Sequence, residues 1–210
     1  MKNIIIAGSS RAGKSTLARK LNDELGYFIL GVDKIVATFG RAYPDMNVRL
    51  NWDYNKTTVN IAPFIGHLLG VFSTDYRFND EQNLQIDYFK ENKFALEGCY
   101  LDFEKISSIL NMYGIEKLEN NFILIGLVQN HKTVAERYND FKIYDTVNDW
   151  TYELSDEDLL GIAKDAVSEN QNVTEYLIKW DFTIYDTSNE REHTLNQIIE
   201  DIKLKCNIKY

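Results

Sequence analysis

The residues with the plainest chemistry stand near the start of the chain, in Gly8-Ser9-Ser10-Arg11-Ala12-Gly13-Lys14-Ser15, spaced as GxxxxGK[ST]. Glycines in such a run let backbone N–H groups turn inward around a phosphate, and the helix that follows adds its positive end. Lys14 is placed to reach the β- and γ-phosphates of ATP or a similar triphosphate, and Ser15 to offer its hydroxyl to Mg²⁺. Thr16 adds a hydroxyl near the α-phosphate, while Arg11, inside the loop, is expected to point at solvent. Average residue usage alone would produce such a match in about one chain in a hundred of this length. Context argues against chance, because the run lies between an apolar β-prone segment, residues 3–7, and a helix with Leu17, Leu21 and Leu25 at helical spacing before Gly26.

A phosphate loop that does chemistry needs a carboxylate near Mg²⁺, at the end of a neighbouring strand. Glu97, closing Phe94-Ala95-Leu96-Glu97-Gly98, is in that position. The alternative is a solvated acid at a strand end, and Asp102, the fallback, reads better as the cap of a helix through Ile106 and Leu110. Asp33 follows a second apolar run and is placed either as a general base for an acceptor hydroxyl or as the N-cap of a helix through Ile35 and Val36. Phosphoryl transfer spreads negative charge over the equatorial oxygens, which an arginine can meet. Arg137 is the candidate, with a surface ion pair as the alternative; Arg41 is a weaker candidate for an anionic acceptor, and Arg49 and Arg77 weaker still.

These residues must be positioned by parallel strands joined through helices. Further strands are expected at residues 27–32, 94–96, 121–128 and 181–186; the last leads through Thr187-x-x-Glu190, a capping-box pattern, into a helix burying Leu195, Ile198, Ile199 and Ile202. Ligands then collect at the carboxyl ends of the strands. Residues 40–92 read as an inserted helical subdomain whose aromatics, including Trp52, Tyr54, Tyr76 and Phe78, form its own small core. Residues 131–151 read as a mobile polar lid, and Ser155-Asp156-Glu157-Asp158 as a helix start.

Composition narrows the partners. The chain has 210 residues, enough for one sizeable α/β domain, with 44% hydrophobic and 26% charged residues. A net charge of -9 opposes binding to bulk nucleic acid. Cys99 and Cys206 and the dispersed histidines His67, His131 and His193 form no metal or disulfide pattern, which reads as cytoplasmic. No segment approaches the roughly 20 apolar residues of a membrane span; the nearest, residues 61–72, is interrupted by Pro63, Gly66 and His67.

With the loop, Asp33, Glu97-Gly98, Arg137 and residues 181–189 together, the chain resembles the small P-loop kinases, a group that includes nucleoside and nucleotide kinases, shikimate and gluconate kinases, chloramphenicol phosphotransferase and zeta-toxin-like kinases. The resemblance implies a three-layer α/β sandwich around a five-stranded parallel sheet in order 2-3-1-4-5, as a single domain over residues 1–210. It implies an acceptor insertion at about residues 40–92 and a lid at about 130–155. It also implies that Asp33 acts on the acceptor hydroxyl, that Arg137 is the first lid arginine, and that Thr187, Ser188 and Asn189 contact adenine. The lid stretch lacks a second arginine, having only Lys132 and Lys142, and strand three ends in Glu-Gly where nucleotide kinases usually carry Asp-Gly. Both departures point away from a standard nucleoside monophosphate kinase. The expectation is an ATP- and Mg²⁺-dependent phosphotransferase acting on a small-molecule acceptor. The rivals are a nucleotide-binding regulatory ATPase or switch, and a kinase of nucleic-acid ends, which the -9 charge opposes. A guanine-specific N/TKxD run is absent, since Asn55-Lys56-Thr57-Thr58 lacks the aspartate.

Overall fold

In the computed structural model, which describes residues 2–51, 53–73, 93–145, 147, 149 and 151–205, the apolar runs alternate with helices along the chain. The order is β1 (Asn3–Gly8), α1 (Lys14–Leu25), β2 (Phe28–Gly31), α2 (Val32–Ala42), a 3₁₀ turn (Pro44–Met46) and α3 (Tyr54–Ser73). There follow β3 (Phe94–Glu97), α4 (Phe103–Asn111), α5 (Leu118–Asn121), β4 (Phe122–Val128), α6 (Val134–Tyr144), α7 (Asp156–Lys179), β5 (Thr183–Asp186) and α8 (Arg191–Lys205). All strand pairs are parallel, in the order β2-β3-β1-β4-β5, as expected.

Strand periodicity explains the three layers. Side chains alternate across the sheet, so Ile5, Ala7, Leu96, Leu124 and Val128 pack on one face with Ile61, Ile65 and Leu69 of α3, Phe103, Ile106 and Leu110 of α4, and Leu177 of α7. Ile4, Ile6, Ala95, Ile125 and Leu127 pack on the other with Leu17 and Leu21 of α1 and the α8 row Leu195, Ile198, Ile199 and Ile202. The Ile4-Ile5-Ile6 run is fully buried because β1 is covered on both faces, worth roughly 1.5–3 kcal/mol per side chain. β1 thus becomes a rigid base for the loop at its end.

Several local expectations are met. Gly26 in the left-handed conformation ends α1, Asp102 accepts from the Lys105 N–H at the start of α4, and Ser155 caps α7. Others need correction. Residues 54–73 form one helix despite Pro63, and α3 buries Ile61, Ile65 and Leu69 in the same core as the sheet rather than in a separate small one. The polar stretch from residue 131 contains α6, started by a reciprocal capping box between Thr133 and Glu136, and Phe141 of α6 packs on Leu159 and Ala163 of α7. The Thr187-x-x-Glu190 pattern is not a capping box: α8 begins at Arg191, and the Thr187 hydroxyl is hydrogen-bonded elsewhere. Trp52, Tyr76, Arg77, Phe78 and Cys206 lie outside the described residues. Among the described residues no helix is long and apolar enough to cross a membrane.

Candidate functional site

The loop leaves β1 at the sheet's carboxyl edge and turns into α1. Gly8 has φ +136°, and a Cβ there would stand 1.9 Å from the Leu127 carbonyl oxygen of β4, so only glycine lets the chain turn this close to its neighbour. Ser9 N–H then donates to that same carbonyl at 2.9 Å. Gly13, also at positive φ, begins α1 with no side-chain cap, so the first N–H groups of the helix keep their capacity for an anion. Lys14 is buried and folds back onto the loop, its Nζ donating to the Gly8 carbonyl at 3.1 Å and the Ser9 carbonyl at 2.7 Å.

On the β3 side, strand register brings the carboxylates in. Glu97 is paired with Ile6 of β1 and with Gly31 of β2, and Asp33 follows Gly31 by two residues. Gly98 lets the end of β3 approach α2 closely, since a Cβ there would lie 2.5 Å from Val32 Cβ. Ser15 Oγ donates to Glu97 Oε2 at 3.2 Å. Burial raises the Glu97 carboxyl above its ordinary value, and Asp33 raises it further; Lys14, the Ser15 hydrogen bond and Lys34 pull the other way. Asp33 is raised by burial and lowered by Lys14; although exposed, it sits against a protein wall that withholds part of its hydration. Lys14, Asp33 and Glu97 therefore lie within electrostatic reach of one another. Asp33 is not the helix cap of the alternative reading. Gly31 is the N-cap of α2, without a side-chain hydrogen bond, and Asp33 lies inside the first turn. Next to the pair, burial pushes the Cys99 thiol up, and the Tyr54 hydroxyl donates to the Cys99 carbonyl at 2.5 Å.

On the β4 side, arginines converge on the loop. Arg137, on α6, is 1% exposed and donates through Nη2 to the Ser10 carbonyl at 2.7 Å. Its Nε and Nη1 have no partner among the described residues. Burial lowers its pKa; Asp140 opposes that, and Arg191 and Arg11 add repulsion. Arg11 does not point at solvent. It adopts φ +60°, forms ion pairs with Asp145 and Asp149, both at 2.8 Å, donates to Thr151 Oγ1 and lies over the Phe141 ring. Two acids at favourable distance outcompete solvation of a lone guanidinium in this half-buried position. Thr187 is buried against the loop, with its hydroxyl 2.9 Å from the Ala12 carbonyl and 3.2 Å from that of Val128. Ser188 Oγ accepts from the His131 N–H, and Asn189 is exposed.

Arg41 is not brought to the carboxylates; it stands exposed in the last turn of α2, two turns beyond Asp33. Lys132 and Lys142 are paired with Asp140 and Asp156. Sequence reasoning missed Arg191, at the start of α8, which lies over the Tyr144 ring and places its Cδ 3.4 Å from where a Cβ on Gly13 would stand. It also missed Asn170, a buried amide on α7 hydrogen-bonded to Ser9. The Thr187-x-x-Glu190 pattern drew attention to capping and away from Arg191, while Asn170 belongs to no motif.

The donor set fits Mg²⁺. A hydroxyl and a carboxylate stand together beside a phosphate loop, and among the described residues no group of three or more His, Cys, Asp or Glu forms a protein-only metal cage.

Comparison with solved structures finds the same architecture across nearly the whole chain. A shikimate kinase from Bacteroides thetaiotaomicron matches with a TM-score of 0.56 at 9% identity, over 99% of both chains. Shikimate kinase from Acinetobacter baumannii in complex with shikimate matches at 0.52 and 14% identity, over 100% of this chain and 96% of that one. The YorR protein of Bacillus subtilis in complex with phosphorylated GDP matches at 0.51 and 12% identity, over 99% of this chain and 100% of that one. No protein-family model matches the sequence, and no curated protein does. The chain has the fold of the small P-loop kinases; the similarity singles out no branch of that group.

Proposed function

We propose that this chain is an ATP- and Mg²⁺-dependent phosphotransferase that moves the γ-phosphoryl group to a hydroxyl or phosphate of a small molecule. One observation carries the reading: Lys14, Ser15, Glu97 and Asp33 meet at the carboxyl edge of the sheet, with Ser15 hydrogen-bonded to Glu97 and Lys14 in electrostatic reach of both acids. The loop amides and Lys14 hold the β- and γ-phosphates, which requires Lys14 to leave the Gly8 and Ser9 carbonyls. Ser15 and Glu97 would hold Mg²⁺, which when bound neutralises charge on the phosphate oxygens. Asp33 accepts the acceptor's hydroxyl proton; its raised carboxyl makes it a better base than an ordinary aspartate. Arg137 turns its unpartnered Nε and Nη1 toward the transferred group. In this reading residues 40–92 shape the acceptor pocket, residues 130–155 act as the lid, and Thr187 to Asn189 border the base.

The test is ADP release from Mg²⁺-ATP across a panel of candidate acceptors, run beside Lys14→Ala. Turnover that one acceptor stimulates, and that Lys14→Ala removes, supports the reading. Nucleotide binding with no acceptor-dependent turnover would transfer the chain to the regulatory class.

A further inference from the structure

Asn170 is 4% exposed in α7, while its neighbours Glu169, Gln171 and Asn172 face solvent. A buried amide is kept in a folded chain when its donors and acceptors are met. Here both ends are met by parts of the phosphate site. Asn170 Nδ2 donates to the Gln129 carbonyl at 2.7 Å, immediately past the end of β4. A carbonyl can only accept, so this contact fixes the amide's orientation and turns Oδ1 toward Ser9. The Ser9 hydroxyl therefore donates to Asn170. One turn farther along α7, the Thr174 hydroxyl donates to the Asn170 carbonyl at 2.8 Å and secures that turn.

Several contacts meet on Ser9. Its N–H donates to Leu127, and its carbonyl accepts Lys14 Nζ at 2.7 Å. With the hydroxyl held by Asn170, the residue is fixed from backbone and side chain together. The fixing group comes from a helix outside the loop and ties the loop to the end of β4.

We propose that Asn170 is a positioning residue for the phosphate loop, holding Ser9 so that the loop is already shaped for a triphosphate before one binds. The proposal rests on the reading of the loop as a triphosphate site. A loop shaped in advance loses less conformational freedom on binding, so the effect falls on nucleotide affinity.

The experiment is a double-mutant cycle on Mg²⁺-ATP affinity, measured calorimetrically for the wild type, Ser9→Ala, Asn170→Ala and the double variant. Each single substitution is expected to weaken binding about tenfold, and the double to be no weaker than either single. Losses that multiply to about a hundredfold in the double variant would overturn the proposal. So would an Asn170→Ala protein that melts earlier yet binds ATP as the wild type does, since that is the mark of a merely structural residue. If Asn170→Ala does not fold, Asn170→Asp is read instead. It keeps the acceptor for Ser9 but sets an acceptor against the Gln129 carbonyl, and weakened ATP binding supports the proposal whereas unchanged binding overturns it. A wild type that binds no ATP removes the underlying reading and the proposal together; equal binding by wild type and variant removes the proposal alone.

Discussion

The two flanks of β1 hold their polar groups in opposite ways. On the β4 flank four loop residues are tied to protein partners: Arg137 on the Ser10 carbonyl, Thr187 on the Ala12 carbonyl, Asn170 on the Ser9 hydroxyl, and Arg11 on Asp145 and Asp149. On the β3 flank, among the described residues, the Glu97 side chain has a single hydrogen bond, at 3.2 Å from Ser15, and the Asp33 side chain has none. Burial raises both carboxyls, and the nearby Lys14 offsets only part of that. The difference teaches a division of labour. In the proposed function the β4 flank shapes a receptor for a constant group, the phosphates, whereas the β3 flank keeps carboxylates under electrostatic cost, which would suit proton transfer from an acceptor.

The sharpest way to break this comparison is to remove the group that serves both flanks. Lys14→Ala is expected to abolish the thermal stabilisation by Mg²⁺-ATP and to lower turnover by roughly a thousandfold or more. An unchanged thermal shift would sink the phosphate-loop assignment. Asp33→Asn should separate the flanks: ATP-induced stabilisation persists, while transfer to a proven acceptor falls about 10²- to 10⁴-fold, the range for a lost general base. Transfer at wild-type rate would show that Asp33 is not the base.

The same contrast marks what the sequence made legible. β1, the loop and β4 could be read because their chemistry is local: a continuous apolar run buried on both faces, then a glycine turn, then a periodic helix. Glu97 was legible for the same reason, as an acid ending an apolar run. What stayed hidden depends on contacts between segments far apart in sequence. Nothing next to Arg11 announces Asp145 and Asp149, and nothing around Asn170 announces Ser9. Residues 40–92 read as a separate unit because they are rich in aromatic and polar residues, yet the α3 row Ile61, Ile65 and Leu69 joins the main core. The capping pattern at Thr187 misled because α8 begins only at Arg191, while the Thr187 hydroxyl donates to the Ala12 carbonyl of the loop.

Arg11 offers a milder test of the β4 flank. Arg11→Gln removes both ion pairs that join the loop to residues 145–149 but leaves every phosphate-facing amide in place. The expected result is a loss of about three- to tenfold in ATP affinity, seen as faster release in stopped-flow measurements, because the pairs are only half-buried. An unchanged release rate would mean that the loop does not depend on this link.

The smallest effect expected tests the cost on the β3 flank directly, through stability without nucleotide. The folded Asp33 carboxyl titrates above its ordinary value of 3.8, which the unfolded chain retains. Between those two values the folded state binds more protons than the unfolded one, so stability falls as pH rises through that window, and the deficit persists above it. Asp33→Asn removes the titration. At neutral pH it should melt slightly above the wild type, on the order of 1 °C because solvent screens an exposed group. Acidifying through 3.8, where the unfolded carboxyl takes up its proton, should shrink the difference toward zero. Glu97→Gln should change stability in the same direction, from an ordinary value of 4.5. Thermal melts of the unliganded proteins from pH 3.5 to pH 7.5 give the comparison. If Asp33→Asn melted below the wild type at neutral pH, the carboxylate would be stabilising the fold, and the contrast between the flanks would fail.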